Sequence, residues 1–233
     1  MLFRSPQNGD SPIEFDDVVI HFRCGGLLST KLKSYGFLTF DGYSRHISKG
    51  TARKIGILTQ PFGTITVSST SIETAQVRTL DSGKLQQIER CRALIFAFVE
   101  HIQRRFPKAT VSIRNDKSET IALSYTRMVL ARQVIGSMST FSIFPILSTF
   151  GTGYYLRPRM YDPSMWLSHR SYPVSNFINR PNSFVLFDDA NVMLGSQTKN
   201  LWDKHGEDVV LEWFRTGNYT LPSAPSKKVN TPM

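Results

Sequence analysis

The sequence predicts an α/β domain, a Rossmann-like parallel sheet with helices on both faces. Three observations lead there. Short β-branched apolar runs alternate with helical stretches of three-and-four periodicity, and the connections between them are short. Polar groups collect just after several of the apolar runs, at the carboxyl ends where open parallel sheets hold ligands.

Residues 1–15, rich in Pro, Gly, Ser and Asn, read as a frayed lead-in, 16–216 as one compact domain, and 217–233 as a disordered basic tail. Asp17–Phe22 is the first expected strand. A polar stretch follows with Gly36, Gly42 and Gly50 and the cations Lys31, Lys33, Arg45, Lys49, Arg53 and Lys54, expected as a long basic loop. "KIGILT" over 54–59 is the second strand, and the Ser/Thr-rich segment 64–79 a loop. The clearest helix is capped at Asp81 or Ser82 and stops before Pro107, with Leu85, Ile88, Cys91, Ile95, Phe98, Ile102 and Phe106 on one face. Lys108–Arg114 is a strand. Ser118 caps a helix to Ala131 that faces inward through Ile121, Tyr125, Met128 and Val129. A strand over Gln133–Gly136 leads to a helix near Ser142–Phe150, whose Pro145 would fit a first turn. Strands at Tyr154–Tyr155 and Phe184–Phe187 and a helix over His205–Thr216 complete the order.

The 233 residues are 40% hydrophobic, enough for a sizeable core, and no apolar run approaches the length of a bilayer span. With 28 Lys and Arg against 18 Asp and Glu the net charge is +10, which favours anionic partners. Two cysteines, Cys24 and Cys91, exclude a disulfide framework and a multi-cysteine zinc site but leave one bridge open. The five histidines are scattered, and no metal-ligand spacing occurs; Asp188 and Asp189 read as a cap and not as a ligand pair.

Three strand ends carry the candidate chemistry. His21 and Arg23 follow the first strand, Arg114, Asn115 and Asp116 the third, and Ser137, Ser139, Thr140 and Ser142 the fourth, where a strand turns into a helix N-terminus. Arginine stays charged and its planar fork matches a phosphate, while free N–H groups and the helix dipole favour an anion at the last site.

With these residues in view, "VVIHFRCGG" resembles the His-x-Arg-x-Gly-Asp motif of fucosyltransferases that use GDP-fucose. "VSIRND" and "RQVIGSMSTFSIFPIL" resemble their later strand and their Ser-Thr-Phe-Ser helix start, in the same order. The resemblance covers about Asp16 to Gly153. It implies the C-terminal, donor-binding half of a two-domain GT-B enzyme that inverts configuration without a metal or other cofactor. It further implies Arg23 as the catalytic charge on the leaving β-phosphate, and His21, Ser139, Thr140, Phe141 and Ser142 as donor-binding residues. Arg114, Asn115, Asp116 and Ser124 would lie in the nucleotide region. The implied partners are a nucleotide-sugar and a glycan or protein acceptor, in a Golgi or ER lumen. Gly26 stands where the motif has aspartate, Ser124 where an acid should read guanine, and only about fifteen residues precede the first motif. These departures set a fragment or a catalytically degenerate donor domain, and beyond it a non-catalytic phosphate-binding module, beside the active enzyme. Nucleic-acid binding ranks third, because the cations are spread and no nucleic-acid-binding signature occurs.

Overall fold

A computed structural model of the chain describes residues 15–24, 28, 36–60, 82–115, 119–136, 139–156, 184–187, 189 and 191–221. At its centre is a six-stranded sheet in the order β4-β3-β1-β5-β6-β7. Its strands are β1 (Val18–His21), β3 (Lys54–Leu58), β4 (Thr110–Arg114), β5 (Gln133–Gly136), β6 (Thr152–Leu156) and β7 (Phe184–Phe187). Every pairing is parallel. The chain builds outward from β1 through β3 to β4, then returns to add β5, β6 and β7 on the other side. The winding direction therefore reverses between β1 and β5, and a crevice opens there beyond the strand ends.

Helices cover both faces. On one side α2 (Ser82–Arg105) packs on Val18, Ile20, Ile55, Ile57 and Ile135, with α1 (Phe40–Ser44), α5 (Gly195–His205) and α6 (Glu207–Thr216). Phe22 sits among Tyr43, Phe98 and Phe214, with ring centroids at 5.2, 5.3 and 6.5 Å. On the other side α3 (Ile121–Leu130) and α4 (Thr140–Ser148) bury Val19, Leu58, Met128, Val134 and Ile146. Glycines let α4 lie close to the sheet. A Cβ on Gly153 would stand 2.4 Å from the Ile146 carbonyl oxygen, a backbone atom that cannot swing aside. Gly153→Ala is thus expected to push α4 outward and cost about 1–3 kcal/mol, seen as a lower urea midpoint with an unchanged m-value.

Several expectations are corrected. The supposed loop after β1 contains β2 (Gly36–Leu38) and α1, because Phe37, Leu38, Phe40 and Tyr43 are all fully buried. β2 pairs antiparallel with β8 (Val192–Leu194), a partner too distant in sequence for any local pattern to reveal. The Thr39 hydroxyl caps α1 by accepting from the Gly42 N–H at 3.0 Å. The helix expected over His205–Thr216 is α6, and a further, unexpected helix, α5, precedes it, the two divided at Gly206, whose φ of 84° only glycine adopts freely. α2 docks only from Arg90 onward, which leaves Leu85 exposed. α3 is capped by Thr120 and turns Arg127 and Met128 inward, leaving Ile121 77% exposed. Hydropathy would send Arg127 to solvent, but carboxylates beneath the helix draw it in. α4 starts at Thr140, so Pro145 lies inside the helix beyond the first turn. The expected lead-in lies outside the described residues except for Phe15, the expected tail lies outside them from 222 onward, and the loop expected over 64–79 lies outside them entirely. No described helix is long and apolar enough to cross a membrane.

Candidate functional site

Strand alternation explains the end of β1. Successive side chains point to opposite faces, so Phe22 and Cys24 enter the α2 core while His21 and Arg23 face the α3–α4 side. Cys24 is bonded to Cys91 of α2, which closes the question the sequence left open. β5 ends directly alongside, His21 being in register with Gly136, and the chain then enters α4. Arg23 Nη1 donates to Ser139 Oγ at 3.3 Å, across 116 residues of sequence. Ser139 is the N-cap of α4, yet its hydroxyl makes no cap bond; it faces Arg23 instead. The guanidinium and the positive end of α4 are thus side by side at the reversal of the sheet, an arrangement suited to an anion.

These groups line a cleft of about 530 Å³. It gathers His21 and Arg23 at the end of β1, Thr59 and Gln60 after β3, Asn115 after β4, and Ser139 and Phe141 at the start of α4; Glu119, Ile121 and Ser124 form one wall. Six of the residues singled out in the sequence therefore meet here. The His21 and Phe141 rings lie 5.3 Å apart.

Comparison with protein-family models, curated proteins and solved structures found no match.

Other expected residues go elsewhere. Arg114 grips the buried Asp16 with two bonds, Nε to Oδ2 at 3.1 Å and Nη2 to Oδ1 at 2.7 Å, and so serves the sheet and not the cleft. Ser142 is fully buried and donates its hydroxyl to the Ser139 carbonyl at 3.0 Å, holding the helix start together from behind. Gly26, Asp116, Ser137 and Asp188, and the side chain of Thr140, lie outside the described residues. Asp189 accepts from the Asn191 N–H at 2.7 Å and pairs with Arg45, as a local anchor. Among the described residues no group of three or more His, Cys, Asp or Glu could hold a metal ion.

Glu119, which the sequence sets one or two turns before Ser124, is the acid that the fold carries to it. Ser124 Oγ donates to its Oε1 at 3.1 Å, and Arg127 Nε contacts both its oxygens at 3.2 and 3.1 Å. A carboxylate is thereby brought to Ser124, the place where the fucosyltransferase pattern led us to expect an acid. The sequence gives no direct signal for this contact, because only the burial of Arg127 in the fold calls for acidic partners.

Burial, with the Arg23 charge adding to it, pushes the His21 imidazole down from 6.5 to about 4, so it is neutral in the folded protein near pH 7. The unfolded chain binds a proton at His21 more readily. The stabilisation is therefore complete above pH 6.5 and is lost as pH falls towards 4, by an amount on the order of 3 kcal/mol. Burial lowers His46 and His101 as well. The wild-type and His21→Gln stabilities compared from pH 7.5 to 4 isolate the His21 share: the variant should lose less, and parallel curves would contradict the assignment.

Proposed function

We propose that the cleft binds a nucleoside diphosphate, as the donor site of a fucosyltransferase-like protein using a GDP-sugar. The observation that carries this reading is the contact between Arg23 and Ser139 at the reversal between β1 and β5, over the N-terminus of α4. Arg23 takes the β-phosphate, with N–H groups of the first turn of α4 as further donors. Asn115, Ser124 and Glu119 line the base end. A carboxylate can accept from both N1–H and the 2-amino group of guanine, whereas adenine offers no such pair, so the wall favours guanine. In an active transferase, Arg23 and the helix end would meet the charge that builds on the leaving diphosphate.

A binding module without turnover is the second reading, favoured by Gly26 standing where the resembling motif has aspartate. Titration calorimetry with GDP, ADP, UDP and inorganic pyrophosphate tests the common part. GDP should bind most tightly and pyrophosphate measurably; flat isotherms for all four would overturn the reading. Transfer or hydrolysis of GDP-fucose in the presence of a chelator then separates enzyme from module.

A further inference from the structure

We propose that the Cys24–Cys91 disulfide is the positioning device of the anion site, holding Arg23 in the orientation that a diphosphate requires. This rests on the nucleotide reading and deepens it. β1 leaves its ladder at His21, and a backbone bond from Phe22 N–H to the Leu58 carbonyl at 2.8 Å carries the pairing one residue further. Arg23 comes next, and Cys24 is then bonded to α2. Arg23, which faces the cleft, is thus pinned on both sides, by the strand before it and by the sulfur after it.

The far end of the bridge is equally placed for this role. α2 is exposed along its first turns and begins to bury residues at Arg90 and Cys91, so the bridge sits where the helix first meets the core. From there α2 packs through Leu94, Ile95 and Phe98. Cys24 is therefore tied to a point that the rest of the helix holds still. Alternation along the strand converts that restraint into orientation: a fixed Cys24 side chain on the core face leaves Arg23 on the cleft face, towards Ser139. Both cysteines are buried, at 0% and 4% exposure, which points to a permanent staple in place of an exchanging switch.

Without the bridge, Arg23 would hold its binding orientation for only part of the time, and affinity would fall by that fraction. The test compares wild type, Cys24→Ala/Cys91→Ala, and Ile102→Ala, a core truncation on α2 well away from the bridge. All are titrated with GDP and pyrophosphate at a temperature where circular dichroism shows them folded. About tenfold weaker binding is expected for the double variant and wild-type binding for Ile102→Ala. Should the double variant not fold, the wild type is titrated before and after treatment with a dithiol, continued until thiol titration shows both cysteines free; the dithiol gives two electrons and two protons to the bridge and leaves as a cyclic disulfide. Equal affinity with and without the bridge, or equal weakening in Ile102→Ala, overturns the proposal. Amide exchange over 15–24 separates the two layers of the argument. If the wild type binds neither ligand, the nucleotide reading falls, and faster exchange at 15–24 on loss of the bridge still upholds the positioning role. Unchanged exchange there removes it.

Discussion

Arg23→Ala is expected to weaken GDP binding by about 10- to 150-fold, the loss of one or two charge-assisted hydrogen bonds worth about 1.5–3 kcal/mol. The effect should be confined to binding. Arg23 is half-buried at a strand end, its bond to Ser139 is to an uncharged hydroxyl, and the core residues on either side of it, Phe22 and Cys24, point the other way. A melting temperature close to wild type is therefore expected beside the large change in affinity. Arg23→Lys retains the charge without the fork and should fall between the two. Pyrophosphate should lose affinity in the same ratio as GDP, since Arg23 is assigned to phosphate and not to base. Calorimetry that returned wild-type affinity for Arg23→Ala would remove the anion site from this end of β1.

Arg127→Met should have the largest effect on stability, a loss of about 3–5 kcal/mol measured from urea midpoints. The Arg127 side chain is 7% exposed and that of Glu119 6%, with Asp16 at 1% and 3.6 Å from Arg127 Nη1. Methionine fills a similar volume but leaves Glu119 with the Ser124 hydroxyl and no Arg127 charge opposite it. The cost is that of a buried carboxylate deprived of the Arg127 cation, which exceeds the net worth of the pair. Adding Glu119→Gln to Arg127→Met should return a good part of the loss, because the uncompensated charge is then gone. If the double variant is as unstable as the single one, the loss arises from packing and not from charge. The same double variant should bind GDP no better than ADP, if Glu119 reads the base.

Much of the architecture could be read in advance, and the reasons differ by element. β1, β3, β4 and β5 are short β-branched runs bounded by turn residues, and α2 is long enough for its period to emerge. β2, β8 and α1 span three to five residues, less than any period needs, and they exist because Phe37, Phe40 and Tyr43 find Phe22, Phe98 and Phe214. α5 buries little beyond Thr198, Leu201 and Trp202, so its sequence reads as polar.

At the site the division is similar. His21, Arg23, Asn115 and Ser139 were legible because strand ends in a parallel sheet open on one side, whatever the strand order, while Phe141 and Ser124 came only from the family resemblance. That β1 and β5 are neighbours, and so that Arg23 faces Ser139, follows from pairing between segments more than a hundred residues apart. Arg114 and Ser142 show the opposite case: each stands at the right place in the chain, and each is taken by a nearer partner, Asp16 and the Ser139 carbonyl. Local composition and period thus dictate the main strands of the sheet, the long helix α2 and which ends are polar. Which polar end groups share a cleft, which are spent on buried charges, and that Cys24 ties the first strand to α2 are decided by long-range packing, because only packing places one segment against another.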